Sequence, residues 1–375
     1  MRGDFENYLK FCIPMFEDKI RRIEHSLSYD DILIKPAQSS VIPSEVDISL
    51  KLSESITLSV PVFSASMDTV TGYEMARSIV RCGGCAPLHK NVSADENTIL
   101  IRKLLEEFGS DKPIAISVGV GNTFEEIDGF VKAGANVMVV DSAHGHSENV
   151  GNLVEYISTH HPHVFLIAGN IVTAEGAKFL IDRGAKAVKV GIGPGSICTT
   201  RKVTGIGRGQ VSAIAEVASF CHDKGIKVIA DGGMKSSDEI MKSIACGADA
   251  VMLGYMFAGC DECPGEFLDI EGEKYKLYRG MGSLSAMKSG SSGRYNKNVL
   301  SNCKWVPEGI ESYVKAKGSA KEVLHIIEWS LKSAFGYLGV KNLTEAKEKS
   351  ELVRISKAGF KRSDVHSISK VIPTQ

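Results

Sequence analysis

The absences in this chain narrow its function first. Lysine plus arginine (44) and aspartate plus glutamate (45) nearly cancel, which leaves a formal net charge of −1. Without an excess of either sign there is no global field to gather nucleic acid or an anionic membrane surface, so neither is expected as a partner. No apolar run approaches the roughly 20 residues of a spanning helix, and no secretory signal is visible; a cytoplasmic protein is expected. The nine cysteines are odd in number and irregularly spaced. Several (Cys82, Cys85, Cys246) sit inside strand or helix patterns, which excludes a disulfide framework and fits a reducing compartment. Cys260-Asp-Glu-Cys263 has no second pair, so zinc is not expected. No GxGxxG opens a helix after the first strand, which argues against a doubly wound dinucleotide-binding sheet. No solenoid repeat is visible.

What is present is an alternation. Eight short apolar runs, at 61–64, 85–88, 114–117, 137–140, 164–167, 187–190, 227–230 and 250–253, are separated by amphipathic stretches such as Thr123–Ala133, Ala174–Arg183 and Ser237–Cys246. Several of these stretches end in Gly-Ala (134–135, 184–185, 247–248), where glycine suits the positive φ of a helix C′ position. Eight βα units with almost continuously apolar strands predict a single (β/α)8 TIM barrel. Polar residues recur just after the strands: Met67-Asp68, His89-Lys90, Gly119, Asp141-Ser142, Gly169-Asn170, Asp231-Gly232-Gly233 and Gly254-Tyr255. In such barrels these positions line the active face. After the eighth strand the pattern breaks. Residues 264–318, rich in Gly, Ser and Lys, read as a flap or finger insertion, either disordered or a lid over the site. A helix over Lys321–Tyr337 would close the barrel, and the tail from 353 to 375 is basic and weakly patterned.

The densest chemistry lies in Gly191-Ile-Gly-Pro-Gly-Ser-Ile-Cys-Thr-Thr-Arg201. Glycines let backbone groups approach a ligand closely, and Cys198, flanked by hydroxyls, is a candidate nucleophile. Gly195-Ser196, Gly232-Gly233 and Gly254 form candidate anion cradles near the ends of strands six to eight. Asp231 would repel a phosphate but suits a ribose diol. A cradle beside a diol acceptor points to a nucleoside monophosphate.

The loop resembles the catalytic-cysteine loop of the IMP dehydrogenase and GMP reductase family, and the likeness runs from about Leu27 to the C-terminal region. The resemblance implies that Cys198 attacks the purine and Thr200 assists proton relay. It places Met67, Ser196, Asp231, Gly233, Gly254, Tyr255, Tyr278, Gly280, Met281, Gly282 and Glu308 around the purine monophosphate. Asp141, Ser142, Asn170, Gly191 and Gly193 would border the nicotinamide cofactor, and the carbonyls of Gly193, Gly195 and Cys198 a potassium ion. Arg294-Tyr295, with Glu308 and Thr200, would activate water. Two activities follow from the likeness: NAD-dependent oxidation of IMP to XMP, or NADPH-dependent deamination of GMP to IMP. The motifs at 141–147, 278–283, 291–295 and 306–310 favour the oxidation. A third alternative is a catalytically silent nucleotide-binding barrel.

A homotetramer is implied, and the paired regulatory CBS modules of many IMP dehydrogenases are absent. The chain departs from the family pattern at Gly293 in the flap, at Tyr255 where a serine is usual, and at Arg362 where an acidic residue is expected near the cation.

Overall fold

The computed structural model describes residues 17–291, 293 and 306–366. Three short strands precede the barrel. β1 (Ile32–Ile34) stands apart, while β2 (Leu50–Lys51) and β3 (Thr57–Leu58) pair antiparallel with Leu50 opposite Leu58.

The barrel strands follow: β4 (Val62–Ser64), β5 (Ala115–Val118), β6 (Val137–Asp141), β7 (Phe165–Ile171), β8 (Ala187–Val190), β9 (Lys227–Asp231) and β10 (Ala250–Leu253). They form one parallel sheet in the order β4-β10-β9-β8-β7-β6-β5. The expected second strand, at 85–88, is not a ladder strand, but it closes the ring. Cys85 bridges Phe63 on one side and Leu88 bridges Ile116 on the other. The Cys85 N–H donates to the Val62 carbonyl at 3.0 Å, and the Leu88 N–H to the Ala115 carbonyl at 2.9 Å. Pro87 lies between these two contacts and has no N–H to extend a ladder.

Helices α1 (Tyr73–Arg81), α2 (Ala94–Phe108), α3 (Phe124–Ala133), α4 (Glu148–His160), α5 (Ala174–Ile181), α6 (Thr200–Thr204), α7 (Gln210–Cys221) and α8 (Ser237–Ala245) alternate with the strands. Their limits follow local chemistry. Thr123 accepts from the Glu126 N–H, and Glu126 reaches back to the Thr123 N–H, a complete capping box at the start of α3. Gly134, Gly184 and Gly247 all have positive φ, as the Gly-Ala pairs predict. Every residue of β5, β6, β7, β8 and β10 is buried. Parallel strands covered by helices on one side and packed inside the ring on the other have no wet face, hence the near-continuous apolar runs.

The described residues of the insertion form regular structure. β11 (Leu268–Ile270), β12 (Glu273–Arg279) and, after α9 (Leu284–Lys288), β13 (Glu311–Lys315) make an antiparallel sheet. The strand period is disguised because one inward residue of β12 is Lys276, 2% exposed. Its ammonium donates to the carbonyls of Asp261 (2.8 Å) and Cys263 (2.6 Å). The CxxC turn is therefore a carbonyl seat for a buried lysine, with Cys263 Sγ directed at the Phe257 carbonyl.

The last barrel helix, α10 (Ala320–Leu338), packs against α8 and α1 and so closes the outer ring. Beyond α11 (Leu343–Lys349) the described residues of the tail, up to 366, include a strand and a short helix. β14 (Leu352–Arg354) pairs antiparallel with β1, and α12 (Lys357–Lys361), with Arg362 at its end, packs against the turn Tyr29–Asp31. A three-residue strand whose partner is more than 300 residues away carries no local period to read.

Asp249 pins α11 to the barrel. It is 2% exposed, accepts the Val228 N–H at 2.8 Å and meets the Lys347 ammonium at 2.6 Å. Burial pushes its carboxyl pKa upward, but the His222 bond and the Lys347 charge outweigh this and hold it below the usual carboxylate value. Lys347→Met should cost about 3 kcal/mol. Because the folded carboxyl is depressed, this contribution is complete above the unfolded pKa and disappears as pH falls through the folded one. Thermal melts should show a constant gap between variant and parent from pH 6 to 8 that closes below roughly pH 4.

Candidate active site

The C-terminal ends of six barrel strands surround a cavity of about 270 Å³, roofed by the insertion. Ala65, Ser66 and Met67 follow β4; Asp141, Asn170 and Lys189 lie on β6, β7 and β8; Asp231 and Gly254 are at the ends of β9 and β10. The loop from Gly191 to Cys198 forms one wall. Tyr278, Gly280, Met281, Gly282 and Glu308 descend from the insertion.

Backbone bonds fix that roof. The Ile310 N–H donates to the Ile197 carbonyl (3.0 Å), the Thr199 N–H to the Glu308 carbonyl (3.0 Å), and the Glu308 N–H to the Gly282 carbonyl (3.0 Å). Arg279 clamps the insertion to the end of β4 through a two-pronged bond to Asp68, at 3.0 and 2.6 Å. Asn91 donates to the same carboxylate at 2.6 Å.

Around the thiol, Cys198 Sγ lies 3.2 Å from Thr200 Oγ1, and that hydroxyl donates to Glu308 Oε2 at 3.1 Å. A proton leaving the sulfur thus has a hydroxyl to receive it and a carboxylate beyond. Thr200 opens the short helix α6, two residues after Cys198. Arg201 is held inward by the Ile192 carbonyl at 3.2 Å, and burial lowers its pKa. Gly191 has φ +148, and a Cβ there would run into the Asp231 carbonyl, so no other residue fits beside that strand end.

The opposite end of the cavity carries neutral hydroxyl groups. Ser196 and Tyr278 share a hydrogen bond beside Gly254, where a Cβ would sit 3.0 Å from the Tyr278 hydroxyl. Burial pushes the Tyr278 phenol up to about 12, with the Ser196 bond opposing, so it stays neutral and can donate. Between the two ends, Asp231 Oδ2 accepts from Asn170 Nδ2 at 2.9 Å, and no described residue bonds its Oδ1. That oxygen suits a ligand hydroxyl.

All but four of the sequence-predicted residues line this one cavity. Thr200 stands just behind Cys198, bonded to it. Ser142 does not reach the cavity. Its backbone pairs with Gly169 and Asn170, and its hydroxyl accepts the His144 N–H at 3.1 Å, which makes it part of the turn. Arg294 and Tyr295 lie outside the described residues. His89 and Gly119, noted at strand ends, do not line the cavity either; burial lowers the His89 pKa.

Lys189 and Gln210 were not singled out from the sequence. Lys189 is 1% exposed and ion-pairs with Asp141 (2.9 Å) and Asp231. Gln210 Nε2 donates to the carbonyls of Val190 (2.8 Å) and Asp231 (3.1 Å). The signal for Lys189 was present, since a lysine inside an apolar strand needs buried counter-charges.

The fold and site together define a (β/α)8 barrel with a thiol, Cys198, at the wall of a nucleotide-sized pocket. The family model described as IMP dehydrogenase / GMP reductase domain matches residues 26–366, and the chain belongs to that family. It is 39% identical to the inosine-5′-monophosphate dehydrogenase of Borreliella burgdorferi over 400 residues, covering 93% of this chain and 98% of that protein. It is 35% identical to the enzyme of the same name from Pasteurella multocida, over 93% and 98% of the two chains. The Streptococcus pyogenes protein of that name is 35% identical, over 92% and 96%. Among the described residues no helix is long and apolar enough to cross a membrane.

The geometry makes Cys198 the thiol that a bound nucleotide should cover. Cys85, Cys221, Cys246, Cys260 and Cys263 are buried. Alkylation followed by peptide mass spectrometry should show Cys198 modified faster than any of these and protected by a purine nucleoside monophosphate. Equal labelling with and without nucleotide would remove Cys198 from the binding site.

Proposed function

We propose that this protein is an IMP dehydrogenase, which converts IMP, NAD+ and water to XMP, NADH and a proton through a covalent bond to Cys198. The observation that carries the reading is the chain Cys198–Thr200–Glu308 at the wall of a pocket that also holds Ser196, Tyr278 and Asp231. The names of the relatives support it over reduction of GMP.

In this reading the monophosphate sits against Ser196, Gly233, Gly254 and Tyr278. Tyr255 takes the position after β10 where the family commonly has a serine. Asp231 Oδ1 accepts the ribose hydroxyls. The base lies over Met67 and under Gly280, Met281 and Gly282. The thiol proton passes to Thr200 as the Thr200 proton moves to Glu308, and the sulfur forms a bond to C2 of the purine. NAD, when bound, takes the hydride that C2 gives up. In this reading Asp141 and Asn170 would hold its ribose, beside Gly191 and Gly193, whose missing side chains would leave room for the ring. Water then displaces sulfur from C2, giving XMP and the free thiol. Arg294 and Tyr295 are proposed as the groups that activate this water.

The carbonyls of Gly193, Gly195 and Cys198 are neutral hard oxygens on one loop. That donor set fits a monovalent cation such as potassium better than zinc. The Gly195 carbonyl already accepts the Cys198 N–H at 3.1 Å, so a cation there would fix the nucleophile's backbone. A cytoplasmic homotetramer completes the proposal.

The test is an absorbance assay of reduced nicotinamide with IMP plus NAD and with GMP plus NADPH. IMP oxidation is expected, and Cys198→Ser should lower it by roughly four orders of magnitude or more while nucleotide still binds. Arg294→Ala should spare a single-turnover burst of NADH and slow steady turnover by about 10²–10³. GMP-dependent NADPH consumption that is unaffected by Arg294→Ala would establish the reductase instead.

A further inference from the structure

Four adjacent strand ends meet at one buried ammonium. Lys189 Nζ lies 2.9 Å from Asp141 Oδ1 and bonds Asp231 Oδ2 and Asn170 Oδ1. Asn170 Nδ2 in turn donates to the Gly191 carbonyl (2.6 Å) and to Asp231 Oδ2 (2.9 Å). The Asp141 side chain is 4% exposed, the Lys189 side chain 1% and the Asp231 side chain 15%. Two carboxylates in one buried site cannot both stay ionised without a counter-charge. The ammonium supplies one, and it leaves the cluster with a single net negative charge. It also engages Asp231 Oδ2, which turns Oδ1 toward the cavity.

We infer that Lys189 is the positioning residue that keeps Asp141 and Asp231 ionised and oriented, so that one side chain sets the affinity of both the substrate-ribose and the cofactor-ribose subsites. This rests on the assignment of those two carboxylates under the proposed function. Lys189 touches neither reacting atom; it acts through its partners. Without it, the two carboxylates lose the ammonium between them, and mutual repulsion favours a proton on one of the pair. A protonated Asp231 is a poorer acceptor for ribose hydroxyls than a carboxylate.

The other charged or titratable groups around the cluster are few. Tyr29 and Tyr278 lie close enough to feel the charge of Asp231, and burial raises both phenols, so they stay neutral. Lys90 Nζ is 3.5 Å from the Asp141 carbonyl oxygen. Cys198, Lys235 and Glu308 line the same cavity. None of these changes in the variants that follow.

The experiment is calorimetric titration of IMP without cofactor from pH 5.5 to 8.5, with melting curves to confirm folding. The parent protein should bind with a nearly constant Kd. Lys189→Met should bind roughly tenfold to a hundredfold more weakly at pH 6, the loss of a hydrogen bond to a charged group, and should recover as pH rises and that proton leaves. Lys189→Arg should keep the flat profile. The double variant Lys189→Met/Asp141→Asn removes the repelling partner and should restore a flat profile as well. A pH-independent loss in Lys189→Met that the double variant does not correct would reduce Lys189 to packing and overturn the inference, as would unchanged affinity. Failure of the parent protein to bind IMP would overturn the proposed function and the inference together.

Discussion

The ends of β6, β7, β8 and β9 are held together by the ion cluster of Asp141, Asn170, Lys189 and Asp231. Much of the site depends on it. A buried lysine is costly unless its charge is met, and here it is met by the two carboxylates the pocket needs. Removing one partner would leave an uncompensated charge inside the barrel mouth. The cluster therefore couples stability to the geometry of binding, which a surface ion pair would not do.

The second constraint is the joining of insertion and cysteine loop. Glu308 contacts Thr199 through its backbone and Thr200 through its side chain. The contact chain Cys198–Thr200–Glu308 thus depends on the seating of the insertion over the barrel. Arg279 and Asp68 secure that seating from the far side. Residues more than 100 positions apart in the chain are brought together by a few hydrogen bonds. A loop that must also admit substrate gains from being attached through such a small set of contacts.

The barrel could be read from the sequence because parallel strands buried on both faces leave long apolar runs, and because the Gly-Ala pairs end helices by a backbone rule. The cysteine loop was readable for the same kind of reason, since glycines and a thiol at a strand end have few purely structural uses in combination. Other features could not be read this way. The strand at 85–88 survives only as two bridges around Pro87, although its sequence resembles its neighbours. β12 hides its period behind an inward lysine, and β14 depends on a partner at the other end of the chain. The Ser142 hydroxyl accepts the His144 N–H in a turn, a local bond that no periodicity announces. Lys189 was passed over as part of a strand, though its charge in that setting was the signal.

The central claim is that Cys198 makes a covalent bond to the purine during turnover. It is tested most directly by acid-quenching the protein during reaction with IMP and NAD, digesting it, and weighing the peptide that contains Cys198. The account predicts a peptide carrying the nucleotide, formed only when both IMP and NAD are present and absent once turnover is complete. Formation of NADH with no adduct on Cys198 at any quench time, or an adduct on a different cysteine, would contradict it.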